Sequence, residues 1–84
     1  MIKVLFFASI RERLSSDHLM MEIDDGSCTL MQLRDILIAS NGPLWSEVLN
    51  ADNVIVAVNQ QVAKDSSLLS DGDEVAFFPP VTGG

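Results

Sequence analysis

Apolar residues in this chain fall into three kinds of run. Ile2 to Ala8 mixes β-branched and aromatic residues over the length of one strand. His18 to Asp24 alternates, with Leu19, Met21 and Ile23 on one side and Met20, Glu22 and Asp24 on the other. That period of two fits a half-buried strand antiparallel to the first. Between them Ser9 to Asp17 is polar and charged and reads as a loop. Val54-Ile55-Val56-Ala57-Val58 is apolar throughout and is the candidate for a central buried strand. Asn59-Gln60 turns it, and Gln61-Val62-Ala63 can return as a short strand. Ser66 to Ser70 reads as a turn-like segment with Leu68 and Leu69 anchored inward. Asp71-Gly72-Asp73 is a tight turn, and Glu74 to Phe78 is the last strand, ended by Pro79-Pro80, which cannot donate ladder hydrogen bonds.

Helical spacing occurs in the middle. After the break at Asp25-Gly26-Ser27, Thr29 and Gln32 stand three apart, the signature of a capping box. Leu30, Leu33 and Leu37 then recur on one face, widened by Met31, Ile36 and Ile38, with Arg34 and Asp35 on the wet side. Asn41-Gly42-Pro43 stops this helix, and Leu44 to Leu49 can form a second short one carrying Trp45. The expected fold is α+β: a mixed sheet of about five strands with one main helix across a face. The first and last long strands both carry Phe pairs and are expected side by side in the centre.

At 84 residues the chain makes one domain, and 48% apolar against 20% charged residues suits a folded globule. Five Lys+Arg against 12 Asp+Glu give a net charge of −7. Such a surface repels phosphate backbones and favours a basic protein partner, so no nucleic acid is expected. No stretch approaches the roughly 20 apolar residues that cross a bilayer. Cys28 is the single cysteine, which excludes an intramolecular disulfide, and the chain is expected in the cytoplasm.

Candidate chemistry is sparse. One His and one Cys exclude a triad. His18 is expected to pack or be solvated at a strand edge. Cys28 precedes a helix N-terminus, where a thiol can be activated, but a lone Cys is more often a small buried hydrophobe. Asp71, Asp73 and Glu74 lack the other ligands of a calcium loop and are expected to form a turn, so no metal is assigned. In Phe6-Phe7 and Phe77-Phe78, alternation sends one ring of each pair to each face, so the outward pair would form an exposed patch, as interfaces do.

The end of the chain is the unusual part. Pro79-Pro80 holds it extended, Val81-Thr82 continue, and Gly83-Gly84 carry no side chains. Residues 79–84, extended, span roughly 20 Å, slim enough to enter a narrow channel with the terminal carboxylate at the tip. A free carboxylate is unreactive, so a partner must activate it.

The ending Asp71-Gly72-Asp73-Glu74-Val75-Ala76-Phe77-Phe78-Pro79-Pro80-Val81-Thr82-Gly83-Gly84, the opening Met1 to Ala8 with Arg11-Glu12, and Ala57-Val58-Asn59-Gln60 resemble the small subunits of molybdopterin synthase. These are sulfur carriers of the ubiquitin-like β-grasp fold. The resemblance implies a β-grasp domain over 1–78 and an extended tail over 79–84. It implies a chain that is not catalytic alone. An adenylating enzyme related to ubiquitin activators would use ATP to convert the Gly84 carboxylate to an acyl-adenylate, and a sulfur donor would turn that into a thiocarboxylate. Pro80, Val81, Thr82 and Gly83 would enter the large synthase subunit, where sulfur passes to cyclic pyranopterin monophosphate, in a heterotetramer of two small and two large subunits. Phe6, Phe7, Phe77, Phe78 and Pro79 are the expected interface residues. No permanently bound cofactor is implied. Alternatives are a thiocarboxylate carrier for another sulfur pathway such as thiazole, a protein modifier joined to lysines through Gly84, or an interaction module with a passive tail.

Overall fold

The computed structural model describes residues 1–23 and 27–79. Asp24, Asp25 and Gly26, and Pro80, Val81, Thr82, Gly83 and Gly84, lie outside the described residues. The chain runs β1 (Ile2–Phe6), α1 (Ala8–Leu14), β2 (His18–Met21), β3 (Cys28–Thr29), α2 (Leu30–Asn41), α3 (Pro43–Leu49), β4 (Ile55–Val58), β5 (Gln61–Val62), β6 (Leu68–Leu69) and β7 (Glu74–Phe78). Five strands form a mixed sheet in the order β2-β1-β7-β4-β5, and β3 pairs with β6 in a separate two-stranded sheet.

β1 and β7 lie parallel at the centre, in the register Val4↔Val75 and Phe6↔Phe77, as their Phe pairs suggested. β4, the most continuous apolar run, is likewise an interior strand, flanked by β7 and β5. Its Ile55 is exposed, so one face of β4 is not covered. The strand β2 pairs antiparallel with β1, and Leu19, Met21 and Ile23 pack towards the core as the alternation requires.

α2 begins where the sequence places it. Gln32 N–H donates to Thr29 Oγ1 at 3.2 Å, and Thr29 N–H donates to Gln32 Oε1 at 2.8 Å, so two orphan donors are satisfied reciprocally. Leu30, Leu33 and Leu37 are buried. Gly42, at φ 99° and ψ −170°, ends α2 in a conformation open chiefly to glycine, and Pro43 starts α3 at a position that needs no N–H donor.

Four local expectations are corrected. Residues 9–14 are helical, not a loop: Ile10 and Leu14, four apart, are buried, and Ser15 in the left-handed region closes the helix. Met31 and Ile36 do not widen the buried stripe of α2; both face outward. Arg34 is not on the wet side. Its side chain is 15% exposed and donates from Nη2 to Asp65 Oδ1 at 2.9 Å, tying α2 to the chain before β6. Leu69 is buried, but Leu68 is 63% exposed, because a two-residue strand sends neighbours to opposite sides.

The core lies between the sheet and the helices. Phe6 stacks on Phe77 with ring centroids 5.8 Å apart and meets Trp45 of α3 edge-on at 5.3 Å. One face of the sheet is thus fully used, and the other is left open.

Candidate functional site: the open face of the sheet

Register decides what the open face carries. Leu5↔Ala76, Ala76↔Ala57 and Ala57↔Val62 are cross-strand partners, so these four residues form one row across β1, β7, β4 and β5. Phe7, Phe78 and Ile55 form the next row, since Ile55 opposes Phe78 and Phe7 N–H donates to Phe77 O at 3.2 Å. The rings of Phe7 and Phe78 lie parallel, with centroids 4.7 Å apart and planes within 6°. The two alanines leave a depression of about 400 Å³, walled by Phe7, Phe78, Ile55, Val62 and Gln60 with Glu74 at its rim. Val62 is 80% exposed. An apolar hollow with aromatic and branched walls is a surface that water solvates poorly and a partner can fill.

The hairpin that supplies Val62 is held from below. Asn59 and Gln60 have φ of 50° and 70°, the left-handed pair of a two-residue hairpin turn. Asn59 Nδ2 donates to Asp73 Oδ1 at 2.9 Å, its Oδ1 accepts from Glu74 N–H at 3.0 Å, and its own N–H donates to Glu74 O at 2.8 Å. Asp73 Oδ2 accepts from Ser70 N–H at 2.8 Å. Both oxygens of Asp73 are therefore spent on the turn, and the Asp71 carboxylate pairs with the N-terminal amine of Met1. The acidic run 71–74 has structural employment, and no metal-holding cluster is found among the described residues.

The aromatic residues expected at an interface separate cleanly. Phe6 and Phe77 are buried in the core and are thereby removed from the candidate contact set, because the alternation that exposes one ring of each pair buries the other. Phe7, Phe78 and Pro79 stay half-buried on the surface. Pro80, Val81, Thr82, Gly83 and Gly84 lie outside the described residues. Ile55 and Val62 were missed by sequence reasoning, although strict alternation through Ile55-Val56-Ala57-Val58 would have put Ile55 with Ala57 on the face opposite Val56.

The single cysteine and the single histidine have local roles. Cys28 is buried in β3 within the core cluster, and its thiol donates to Thr29 O at 3.5 Å. His18 is exposed on the rim of the open face, with Nδ1 3.0 Å from Asp17 Oδ1. Hydrogen bonding from His18 holds the Asp17 carboxyl below its ordinary value of 3.8.

The chain matches the model of the ThiS family over residues 4–84. It belongs to the ThiS family. Among its relatives, the molybdopterin synthase sulfur carrier subunit of Escherichia coli strain K12 is 44% identical, with all of both chains covered. Solved structures agree with this ThiS-family fold. SAMP1 from Haloferax volcanii superposes with a TM-score of 0.84 at 27% identity, covering 99% of this chain and 98% of that one. A chain from the complex of subunits 1 and 2 of the molybdopterin-converting factor of Helicobacter pylori 26695 gives a TM-score of 0.70 at 26% identity, with 99% and 97% covered. The fold is thus the ubiquitin-like β-grasp. No described helix is long and apolar enough to cross a membrane.

Proposed function

We propose that this chain is the sulfur carrier subunit of a molybdopterin synthase, acting in the cytoplasm as a domain over 1–78 with a working tail over 79–84. Identity of 44% along the whole length of a carrier of that name is the observation that carries the proposal. The geometry supports it in two ways. The open face offers a partner an apolar hollow, and β7 delivers Pro79 at the edge of that face, beside the Phe7–Phe78 stack. A partner seated on the hollow would lie where the tail sets out.

In the proposed cycle the Gly84 carboxylate attacks the α-phosphate of ATP on an adenylating enzyme, giving an acyl-adenylate and releasing pyrophosphate. A sulfur nucleophile then displaces AMP and leaves a thiocarboxylate. Pro80, Val81, Thr82 and Gly83 thread into the large subunit, with two small and two large chains in the assembly. There the thiocarboxylate sulfur bonds to cyclic pyranopterin monophosphate, and water cleaves the acyl–sulfur bond, leaving the sulfur on the pterin and returning Gly84 to the carboxylate. This chain supplies no catalytic side chain; it supplies a consumable atom at the end of a narrow probe. Its charge of −7 favours a basic surface on either partner.

Reconstitution tests this directly. The thiocarboxylated chain with the large subunit should convert cyclic pyranopterin monophosphate to molybdopterin, and removing Gly84 should abolish the product. A second use is favoured by one specific similarity, since small archaeal modifier protein 1 is 31% identical over 93% of this chain. In that case lysine adducts through Gly84 would form in lysates supplied with ATP, and reconstituted synthase would stay silent.

A further inference from the structure

The helix side of the sheet has an opening of its own, apart from the open face. β2 ends the five-strand order, and among the described residues no strand pairs with its outer edge. The register Ile2↔Met21, Val4↔Leu19 continues to Phe6, whose N–H donates to Asp17 O at 3.0 Å. Bonded and non-bonded residues alternate along an antiparallel pair. Asp17, Leu19 and Met21 therefore aim their backbone groups at β1, while His18 and Met20 aim theirs outward. The His18 carbonyl lies 3.5 Å from Ser16 Oγ, so Met20 forms the more open part of the edge, with Glu22 directly after the strand.

Beside that edge lies a groove of about 640 Å³ between the end of β2 and α2. Ile23, Cys28 and Ile36 give it apolar walls; Glu22, Gln32 and Asp35 give it a polar rim, and among the described residues no Lys or Arg lines it. Ile36 is 47% exposed there, although Leu33 and Leu37 of the same helix are buried. A strand edge, an exposed isoleucine and two carboxylates meet at one place.

We propose that the β2 edge and this groove bind an extended, basic peptide segment of a partner protein. The segment adds a sixth strand to the sheet, seats an apolar side chain against Ile23 and Ile36, and places Lys or Arg beside Glu22 and Asp35. Main-chain bonds supply affinity, and the groove supplies selectivity. Charge decides the occupant. A second copy of this chain would bring Glu22 and its own net charge of −7 to the same edge, whereas a cationic segment is attracted there. The groove lies on the side that carries α2, so occupation of the open face leaves it accessible.

The test uses the full ¹⁵N-labelled chain titrated with the peptide acetyl-KVIVIK-amide and its counterpart acetyl-EVIVIE-amide. The basic peptide should shift the amides of Met20, Glu22, Ile23 and Ile36 and slow exchange of the Met20 amide. It should bind about tenfold more tightly than the acidic one, the sum expected of two exposed ion pairs. In the Glu22→Lys/Asp35→Lys double variant, altered only at exposed positions, that preference should reverse. Shifts confined to Ile55, Val62 and Phe78, equal affinity for both peptides, or no shifts at millimolar peptide would overturn the proposal. So would β2 shifts that appear on concentrating the chain alone, which would identify a second copy as the occupant.

Discussion

Val62 offers the sharpest separation of docking from folding. It is 80% exposed, yet it stands in the row formed with Ala57, Ala76 and Leu5, at the wall of the open-face hollow. Val62→Ala removes two carbons, worth about 0.8 kcal/mol each when fully buried. If a partner covers the 80% of the side chain that the isolated domain leaves bare, the loss is about 1.3 kcal/mol, or about ninefold in Kd. Folding should scarcely change, because little of that surface is covered in the monomer; Tm should move by less than about 2 °C. Titration calorimetry against the large synthase subunit measures the first quantity, and thermal unfolding the second. Leu68→Ala is the control. Leu68 is 63% exposed but lies in the separate two-stranded sheet, away from the hollow, so its Kd should be unchanged. Equal Kd values for wild type and Val62→Ala, or equal losses at Val62 and Leu68, would refute the placement of the docking face.

Other perturbations probe the framework beneath that face. Phe77→Ala should cost about 3–5 kcal/mol, because the ring is fully buried on Phe6, and Tm should fall by more than about 12 °C. Asn59→Asp keeps an acceptor for Glu74 N–H but sets a second carboxylate against Asp73 Oδ1, which Asn59 now reaches at 2.9 Å; denaturant titration at pH 7 should show a loss of about 1–2 kcal/mol. Asp17 should titrate below 3.8 in a carbon-detected NMR titration, since His18 favours its ionised form. The depressed value means that its contribution to stability is present above the ordinary carboxylate pKa and is lost as pH falls through the folded-state value. The His18→Ala variant should return Asp17 towards 3.8; no change would show that His18 is not the cause.

What could be read from the sequence was mainly what neighbours along the chain determine. Thr29 and Gln32 are three residues apart, so the start of α2 was legible, and Gly42-Pro43 marked its end. The parallel pairing of β1 and β7 was suggested by their matching Phe pairs. α1 was not legible because a seven-residue helix offers only one buried pair, Ile10 and Leu14, and its N-cap Phe7 makes no side-chain cap bond. β3 and β6 were missed for a different reason. Each is two residues long, and Cys28↔Leu69 joins positions about forty residues apart, so no local pattern announces them. Arg34 likewise looked solvated until the distant Asp65 was folded beside it. The open face falls between these cases: alternation exposes Phe7 and Phe78, but only the register adds Ile55 and Val62 to them and supplies the alanine floor.

Intact mass of the chain after incubation with an adenylating enzyme of the ubiquitin-activator kind, ATP and a sulfur donor is the most direct check on the proposed carrier function. Exchange of one oxygen for one sulfur, absent when Gly84 is deleted, is the expected result. An unchanged mass, under conditions in which the carrier of Escherichia coli is charged, would contradict it.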